Sequence, residues 1–261
     1  MKLHVLTAGP ENGDTSLPPV VFIHGLFGRG RNFGFFQRRL AATRRTIAID
    51  LRNHGASPHG RADYTVMAED VFETLTALDA LPAVIVGHSM GGKTSMMLAL
   101  HHPEAVERLL VADIAPAEGS FAQSRSLAED LAALHLPDSL NHSQADSLLA
   151  TVIAEKPVRD LMMQNLELGD HPSWQIGLKE IEASMDDIIS WPHIPQGTEY
   201  DGKVLFIRGG NSRYVQSAAF PEMKRLFPHY RLETIAGAGH WVHAEKPREF
   251  LELLEHFLAE Q

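Results

Sequence analysis

The 261-residue sequence predicts an α/β fold, a mostly parallel central sheet flanked by helices. Three observations predict it. Short apolar runs rich in β-branched residues recur, at Val20–Ile23, Thr46–Ile49, Val84–Val86 and Val204–Ile207. They are continuous rather than alternating, as expected of strands buried on both faces. Stretches with helical spacing separate them, and strands alternating with helices imply parallel pairing with crossovers covering both faces. The rhythm breaks between about Ala117 and Gly202, where no strand-like run appears. A helical cap inserted between strands 6 and 7 accounts for the break, leaving residues 1–116 and 203–261 as core and 117–202 as the insertion. The sheet's C-terminal edge, which it would cover, is where open α/β sheets bind ligands.

Taken in order, residues 3–7 read as a first strand and Glu11–Ser16 as a turn cluster. Val20–Ile23 ends in a loop with three glycines, His24-Gly25-Leu26-Phe27-Gly28-Arg29-Gly30, followed by a helix over about residues 33–42. Thr46–Ile49 ends in the polar loop Asp50–Ser57. Residues 66–78 are helical, with Met67, Val71, Leu75 and Leu78 on one face. Val84–Val86 runs into a glycine-rich turn and a helix from Lys93 to Leu100, and residues 106–112 form the next strand. Helices are expected over residues 127–136, 144–154, 158–168 and 174–189, punctuated by Pro137, Pro157, Pro172, Pro192 and Pro195. The α/β rhythm resumes with a strand at 204–207, a helix over 215–227, a strand at 230–235 and a closing helix over 245–258.

Composition narrows the function classes. Apolar residues make up 44%, enough for a substantial core. The net charge of −10, from 33 acidic and 23 basic residues, argues against nucleic-acid or anionic-membrane partners, which need a basic patch. Without cysteine there is no disulfide, thiol nucleophile or Cys-based zinc site. No signal peptide and no run of 18 apolar residues is present, so stable membrane insertion is not expected and the cytoplasm is the default location. The sequence sets no oligomeric state.

The chemistry centres on Gly87-His88-Ser89-Met90-Gly91. A strand, a sharp turn and a helix put Ser89 at the apex, with glycines two before and two after so that the chains can pass closely. The N–H of Met90, at the helix start, points where an oxyanion could form. A serine hydroxyl is a poor nucleophile until a base takes its proton. Among 15 histidines, position selects His240. It lies in Gly237-Ala238-Gly239-His240-Trp241, just past the last strand and at the same rim as Ser89. His24 and His88 sit in tight turns that suit structural hydrogen bonding, and His243 sits at a helix start. Neither G-x-G-x-x-G nor Walker A spacing opens a helix here, which argues against a phosphate loop. Asp186 and Asp187 are adjacent on an expected helix and diverge by about 100°, which fits a solvated face better than a metal pair.

These stretches, with Asp50-Leu51-Arg52-Asn53-His54-Gly55-Ala56-Ser57 and Val111-Ala112-Asp113-Ile114-Ala115-Pro116, give the chain a resemblance to the α/β-hydrolase superfamily over residues 3–258. Within it the sequence looks most like the small bacterial YbfF-type esterases, with similar sequences in the mitochondrial abhydrolase-domain 11 group. The resemblance implies an α/β-hydrolase fold and a serine esterase. It places the oxyanion donors at the N–H groups of Leu26 and Met90, and loss of one such donor typically costs about 2.7–4 kcal/mol in the barrier. In many members the catalytic carboxylate follows the strand after the cap. Here that place reads Ile207-Arg208-Gly209-Gly210-Asn211-Ser212-Arg213-Tyr214, with neither Asp nor Glu. The role therefore passes to Asp113, at the end of the preceding strand, which would orient His240 and stabilise its charged form. Phe27 and Trp241 are the candidate substrate-binding side chains. Met96, Met97, Met162 and Met163 read as core or cap packing. Asp50–Ser57 admits substrate contact by Arg52 or His54, or a loop tied down by Asp50 and Arg52, with the second favoured.

The expected substrate is a small acyl ester or thioester, with no metal and no organic cofactor. A serine in place of a nucleophilic Asp argues against dehalogenase and epoxide-hydrolase chemistry. C–C bond cleavage or another non-hydrolytic reaction with the same residues, and a catalytically silent scaffold, remain as alternatives.

Overall fold

The computed structural model describes residues 1–10, 16–119 and 122–260, so Glu11–Thr15 of the expected turn lie outside the described residues. Its main sheet has seven strands: β1 (Val5–Ala8), β2 (Val20–Ile23), β3 (Thr46–Ile49), β4 (Ala83–His88), β5 (Val106–Ala112), β6 (Lys203–Gly209) and β7 (Tyr230–Ile235). Their order across the sheet is β1-β3-β2-β4-β5-β6-β7. Every pair is parallel except β1 with β3. From β2 the chain steps to β3 on one side and then returns to β4 on the other. That reversal opens a crevice beyond the strand ends, between β2 and β4. Register fixes what meets there: Ile23 lies opposite Gly87, and His88 opposite Ala112.

The helices are α1 (Gly34–Leu40), α2 (Tyr64–Ala77), α3 (Met90–His101), α4 (Ala122–Ala133), α5 (His142–Leu149), α6 (Lys156–Met163), α7 (Leu178–Ala183), α8 (Met185–Ile189), α9 (Phe220–Leu226), α10 (Val242–Glu245) and α11 (Pro247–Ala259). On one face of the sheet, Phe22, Val86 and Leu110 pack with Phe36 of α1 and with Phe250, Leu254 and Phe257 of α11. On the other, Val21 and Ile85 pack with Met67, Val71 and Leu75 of α2, Met96 of α3 and Met223 of α9. Both faces are apolar and both are covered, which is why the strands read as continuous runs. Asp63 caps α2, its carboxylate accepting the N–H of Val66 at 2.8 Å. Among the described residues, no helix is long and apolar enough to cross a membrane.

The stretch from 117 to 202 contributes no strand to the main sheet among its described residues and lies between the fifth and sixth strands, β5 and β6, rather than between strands 6 and 7 as expected, because only five strands of this sheet precede it. It is less purely helical than its sequence suggests. Ser139–Leu140 pairs with Gly169–Asp170, and Leu166–Glu167 with Ser173–Trp174. The helix expected over 158–168 therefore stops at Met163, and that expected over 174–189 becomes α7 and α8, broken at Ser184. Two-residue ladders show no readable period. Ala128, Leu149, Met162, Ile181 and Ile188 join the core on the α2–α3 side.

Polar anchors seat the stretch. The buried Lys93 of α3 donates to the carbonyls of Ile189 (3.2 Å) and Ser190 (2.8 Å), and the Tyr64 hydroxyl to that of Ile188 (2.6 Å). The N–H of Ala62 donates to Ser184 Oγ, and that of Gly177 to the Asn53 carbonyl.

Candidate active site

Strand ends build the site. Ser89 follows β4 directly, with φ 53° and ψ −119°, and α3 starts at the next residue. A left-handed backbone at a residue with a Cβ costs about 1–3 kcal/mol and persists only where its surroundings enforce it. Here they do: a Cβ on Gly87 would lie 2.4 Å from the Gly91 carbonyl oxygen, and one on Gly91 2.4 Å from that of His24. Only glycines let β4, α3 and the β2 loop approach this closely.

Asp113, one residue past β5, also has a positive φ of 50° and is fully buried. Its Oδ1 accepts the N–H of Gly209 at the end of β6 (2.8 Å). Its Oδ2 accepts His240 Nδ1–H (2.8 Å) and the Ser212 hydroxyl. The carboxylate thereby fixes the proton of His240 on Nδ1. The lone pair on Nε2 is left facing Ser89 Oγ at 2.9 Å. Tyr214 stacks on the His240 ring, centroids 3.8 Å apart, and His88 Nε2–H donates to the His240 carbonyl at 2.9 Å. Burial and the charge of Asp113 both raise the Tyr214 pKa.

Facing Ser89 is the turn Gly25–Gly28, closed by the Gly28 N–H on the Gly25 carbonyl (2.9 Å). Among the described residues, the N–H groups of Leu26 and Met90 have no protein acceptor. A cavity of about 460 Å³ opens onto Ser89 and His240, lined by Leu26, Phe27, Val152, Leu161, Met162, Tyr214 and Trp241 among others. A second, of about 590 Å³, lies behind Leu26, Leu161 and Trp241 and is walled by His24, Asn32, Gln164 and His243. Apolar clefts with a few convergent polar groups are the usual form of small-molecule sites.

A family model described as the alpha/beta hydrolase fold matches residues 18–247. The chain belongs to the α/β-hydrolase family. It is 41% identical over 258 residues to the mouse sn-1-specific diacylglycerol lipase ABHD11, covering 95% of this chain and 83% of that one. It is 33% identical to the Escherichia coli K12 esterase YbfF over 259 residues, covering 99% of both. Among solved structures, one described as a marine microorganism esterase superposes with a TM-score of 0.92 at 30% identity, over 98% of this chain and 99% of that one. This α/β hydrolase is an enzyme of the esterase type to which YbfF and ABHD11 belong.

The hydrolase brings Ser89, Asp113 and His240 together, and sets the N–H groups of Leu26 and Met90 and the side chains of Phe27 and Trp241 around them. Asn211 turns away, its side-chain amide donating to the Gly237 carbonyl at 3.2 Å. Trp241 lines both cavities. Trp174 and Trp191 line neither, packing against the core instead. Met96, Met97, Met162 and Met163 are buried. Asp186 and Asp187 pair with Arg125 and Arg61 at the surface, and no group that could hold a metal ion occurs among the described residues.

Asp50–Ser57 is a tied-down loop. Asp50 accepts from Gly30 N–H, Ala56 N–H and His4, and Arg52 pairs with the buried Asp70 at 2.6 Å. His54 is turned inward, its Nε2 accepting the N–H of Phe27 at 3.1 Å. Sequence reading missed three participants: Ser212 on Asp113, Tyr214 on His240 and Asn165 on the Phe27 carbonyl. Ser212 was within reach, since a hydroxyl next to the vacated carboxylate position is a ready donor to an acid supplied from β5. Burial, with neighbouring imidazoles a lesser cause, lowers the pKa of His54 and of His243 to about 3 and holds His88 neutral.

Proposed function

We propose that this hydrolase cleaves carboxylic esters through an acyl-enzyme formed on Ser89. The observation that carries the reading is the unbroken chain from Ser89 Oγ to His240 Nε2 (2.9 Å) and from His240 Nδ1 to Asp113 (2.8 Å). As Ser89 Oγ attacks the ester carbonyl, its proton passes to Nε2. Asp113 stabilises the imidazolium that results. The carbonyl oxygen becomes an oxyanion held by the N–H groups of Leu26 and Met90, which act where charge develops rather than on the ground state. His240 returns the proton to the departing alcohol oxygen, leaving Ser89 acylated. Water then repeats the sequence: His240 takes its proton, the hydroxide adds to the acyl carbon, and the proton goes back to Ser89 Oγ as the acid leaves. The cycle calls for no metal and no organic cofactor.

Residues 117–202 act in this reading as a cap that shapes the pocket, since Val152, Leu161 and Met162 line the cavity over Ser89. Phe27 and Trp241 contact the substrate. The apolar lining and the esterase and lipase relatives favour acyl esters, with acyl thioesters accepted by the same chemistry, and the cytoplasm is the proposed location.

A fluorophosphonate probe should label the parent and not Ser89→Ala. A series of p-nitrophenyl esters from C2 to C16, run beside acyl-CoAs, should show turnover that Ser89→Ala lowers by several orders of magnitude. Parent-like turnover in folded Ser89→Ala would overturn the assignment.

A further inference from the structure

Phe27 occupies the third position of the Gly25–Gly28 turn with a φ of 63°. Positive φ at that position marks a type II turn, where glycine is the usual residue. A phenylalanine stays there only if its peptide groups are held, and both are. The Phe27 N–H donates to His54 Nε2 (3.1 Å) and its carbonyl accepts from Asn165 Nδ2 (2.8 Å). His54 is 1% exposed and Asn165 fully buried. The other His54 nitrogen donates to the Arg52 carbonyl at 2.9 Å, which leaves Nε2 free of a proton and able to accept.

We propose that His54 and Asn165 are positioning residues that clamp Phe27 from two sides and so hold the Leu26 N–H toward the oxyanion. This rests on the reading of Leu26 as an oxyanion donor. Types I and II differ by a flip of the central peptide, here the one joining Leu26 to Phe27. Its N–H is the group that His54 holds. Without the clamp the turn is free to relax toward negative φ at Phe27, and Leu26, whose ψ is the other angle of that flip, is no longer held in one orientation. Neutrality of the His54 ring matters, because a protonated ring has no lone pair for the Phe27 N–H. The two clamps come from opposite quarters: His54 from the loop after β3, Asn165 from just beyond α6. Two more contacts reinforce the second. The Arg29 guanidinium donates to the Gln164 carbonyl, and the Asn32 side-chain amide to Gln164 Oε1 at 2.8 Å. Seating of residues 117–202 thus becomes a condition for a complete oxyanion site, beyond their part in shaping the pocket.

The test compares Asn165→Ala and His54→Ala with Ser184→Ala, which also removes a buried contact between the stretch and the core but does not touch Phe27. Ester turnover, KM and fluorophosphonate labelling rate are measured, with thermal melts confirming folded protein. In Asn165→Ala and His54→Ala, kcat and the labelling rate should fall together by about 10- to 100-fold, with KM within about threefold, since an oxyanion contact acts in the transition state. Ser184→Ala should leave both rates unchanged. Adding Phe27→Gly to Asn165→Ala should restore part of kcat, because glycine adopts positive φ without help. A merely structural role for Asn165 predicts no such rescue. If one clamp variant fails to fold, the other, approached from the opposite side, still decides. Unchanged kcat in the folded clamp variants, or a loss confined to KM, would overturn the clamp while Ser89→Ala stays inactive. Full activity in Ser89→Ala would instead overturn the proposed function beneath it.

Discussion

Replacing His243 by phenylalanine should stabilise the hydrolase in acid while leaving it nearly unchanged at neutral pH. The ring of His243 stacks on Phe33 with centroids 4.9 Å apart and meets Phe250 edge-on, and its Nδ1 is buried without a partner. Burial, and behind it the nearby His240, lowers its pKa to about 3. In the unfolded chain it titrates near the ordinary value of about 6.5. Between those limits the unfolded state binds the extra proton. Stability from this residue is therefore intact above about pH 6.5 and falls as the pH drops toward 3, by up to about 1.4 kcal/mol per unit. At pH 5 the loss is about 2 kcal/mol, a sizeable part of a typical stability of about 5–15 kcal/mol. Phenylalanine keeps the stack, carries no proton, and gives up no hydrogen bond at Nδ1. Urea unfolding of parent and variant at several pH values between 4.5 and 7.5 should give curves that coincide within about 1 kcal/mol at the top. By pH 5 they should separate by about 2 kcal/mol in the variant's favour. Parallel curves would refute the reasoning, since they would mean that His243 titrates alike in both states.

Two further outcomes are expected. Asp113→Asn keeps the shape but cannot accept from Gly209 N–H on one side and from His240 and Ser212 on the other; with its oxygen kept on Gly209, its NH2 faces His240, which adopts the wrong tautomer. Ester turnover should fall by about 10⁴-fold with an unaltered melting temperature, and near-normal turnover would remove Asp113 from its role. Trp241→Ala opens the wall between the two cavities. The preferred chain length in the p-nitrophenyl ester series should move to longer acyl groups, and an unchanged profile would show that Trp241 does not bound the substrate.

Much of this was legible in the sequence, for reasons that can be named. The strands were visible because burial on both faces writes an unbroken apolar run, as in Val20–Ile23. Ser89 was visible because it follows a strand directly among glycines, and His240 because it stands in the glycine-flanked turn after the last strand. Asp113 followed from the absence of a carboxylate around Asn211. What stayed hidden depends on groups that meet only in space. Ser212 touches Asp113 across 99 positions, and Asn165 reaches Phe27 across 138. The inward turn of His54 and the positive φ of Phe27 leave no trace in residue type, since nothing marks a phenylalanine for a left-handed backbone.

The insertion leaves the main sheet after β5 and rejoins it at β6, and these strands are neighbours. The two strands are parallel, so the chain leaves at the edge that carries Asp113 and re-enters at Lys203, opposite Arg108, four residues back from Ala112 and at the other edge of the sheet. The Asp113 N–H on the Ile207 carbonyl and the Asp113 carboxylate on the Gly209 N–H bind the tips of β5 and β6 to each other, independently of the insertion. On the clamp proposed above, an exchanged insert would need to cross back from one edge of the sheet to the other, and to supply a donor in place of Asn165 and its own lining for the two cavities. On the proposed function, the reacting groups stay mounted on the strand tips, so a change confined to the insertion would alter what is admitted without rebuilding how it reacts.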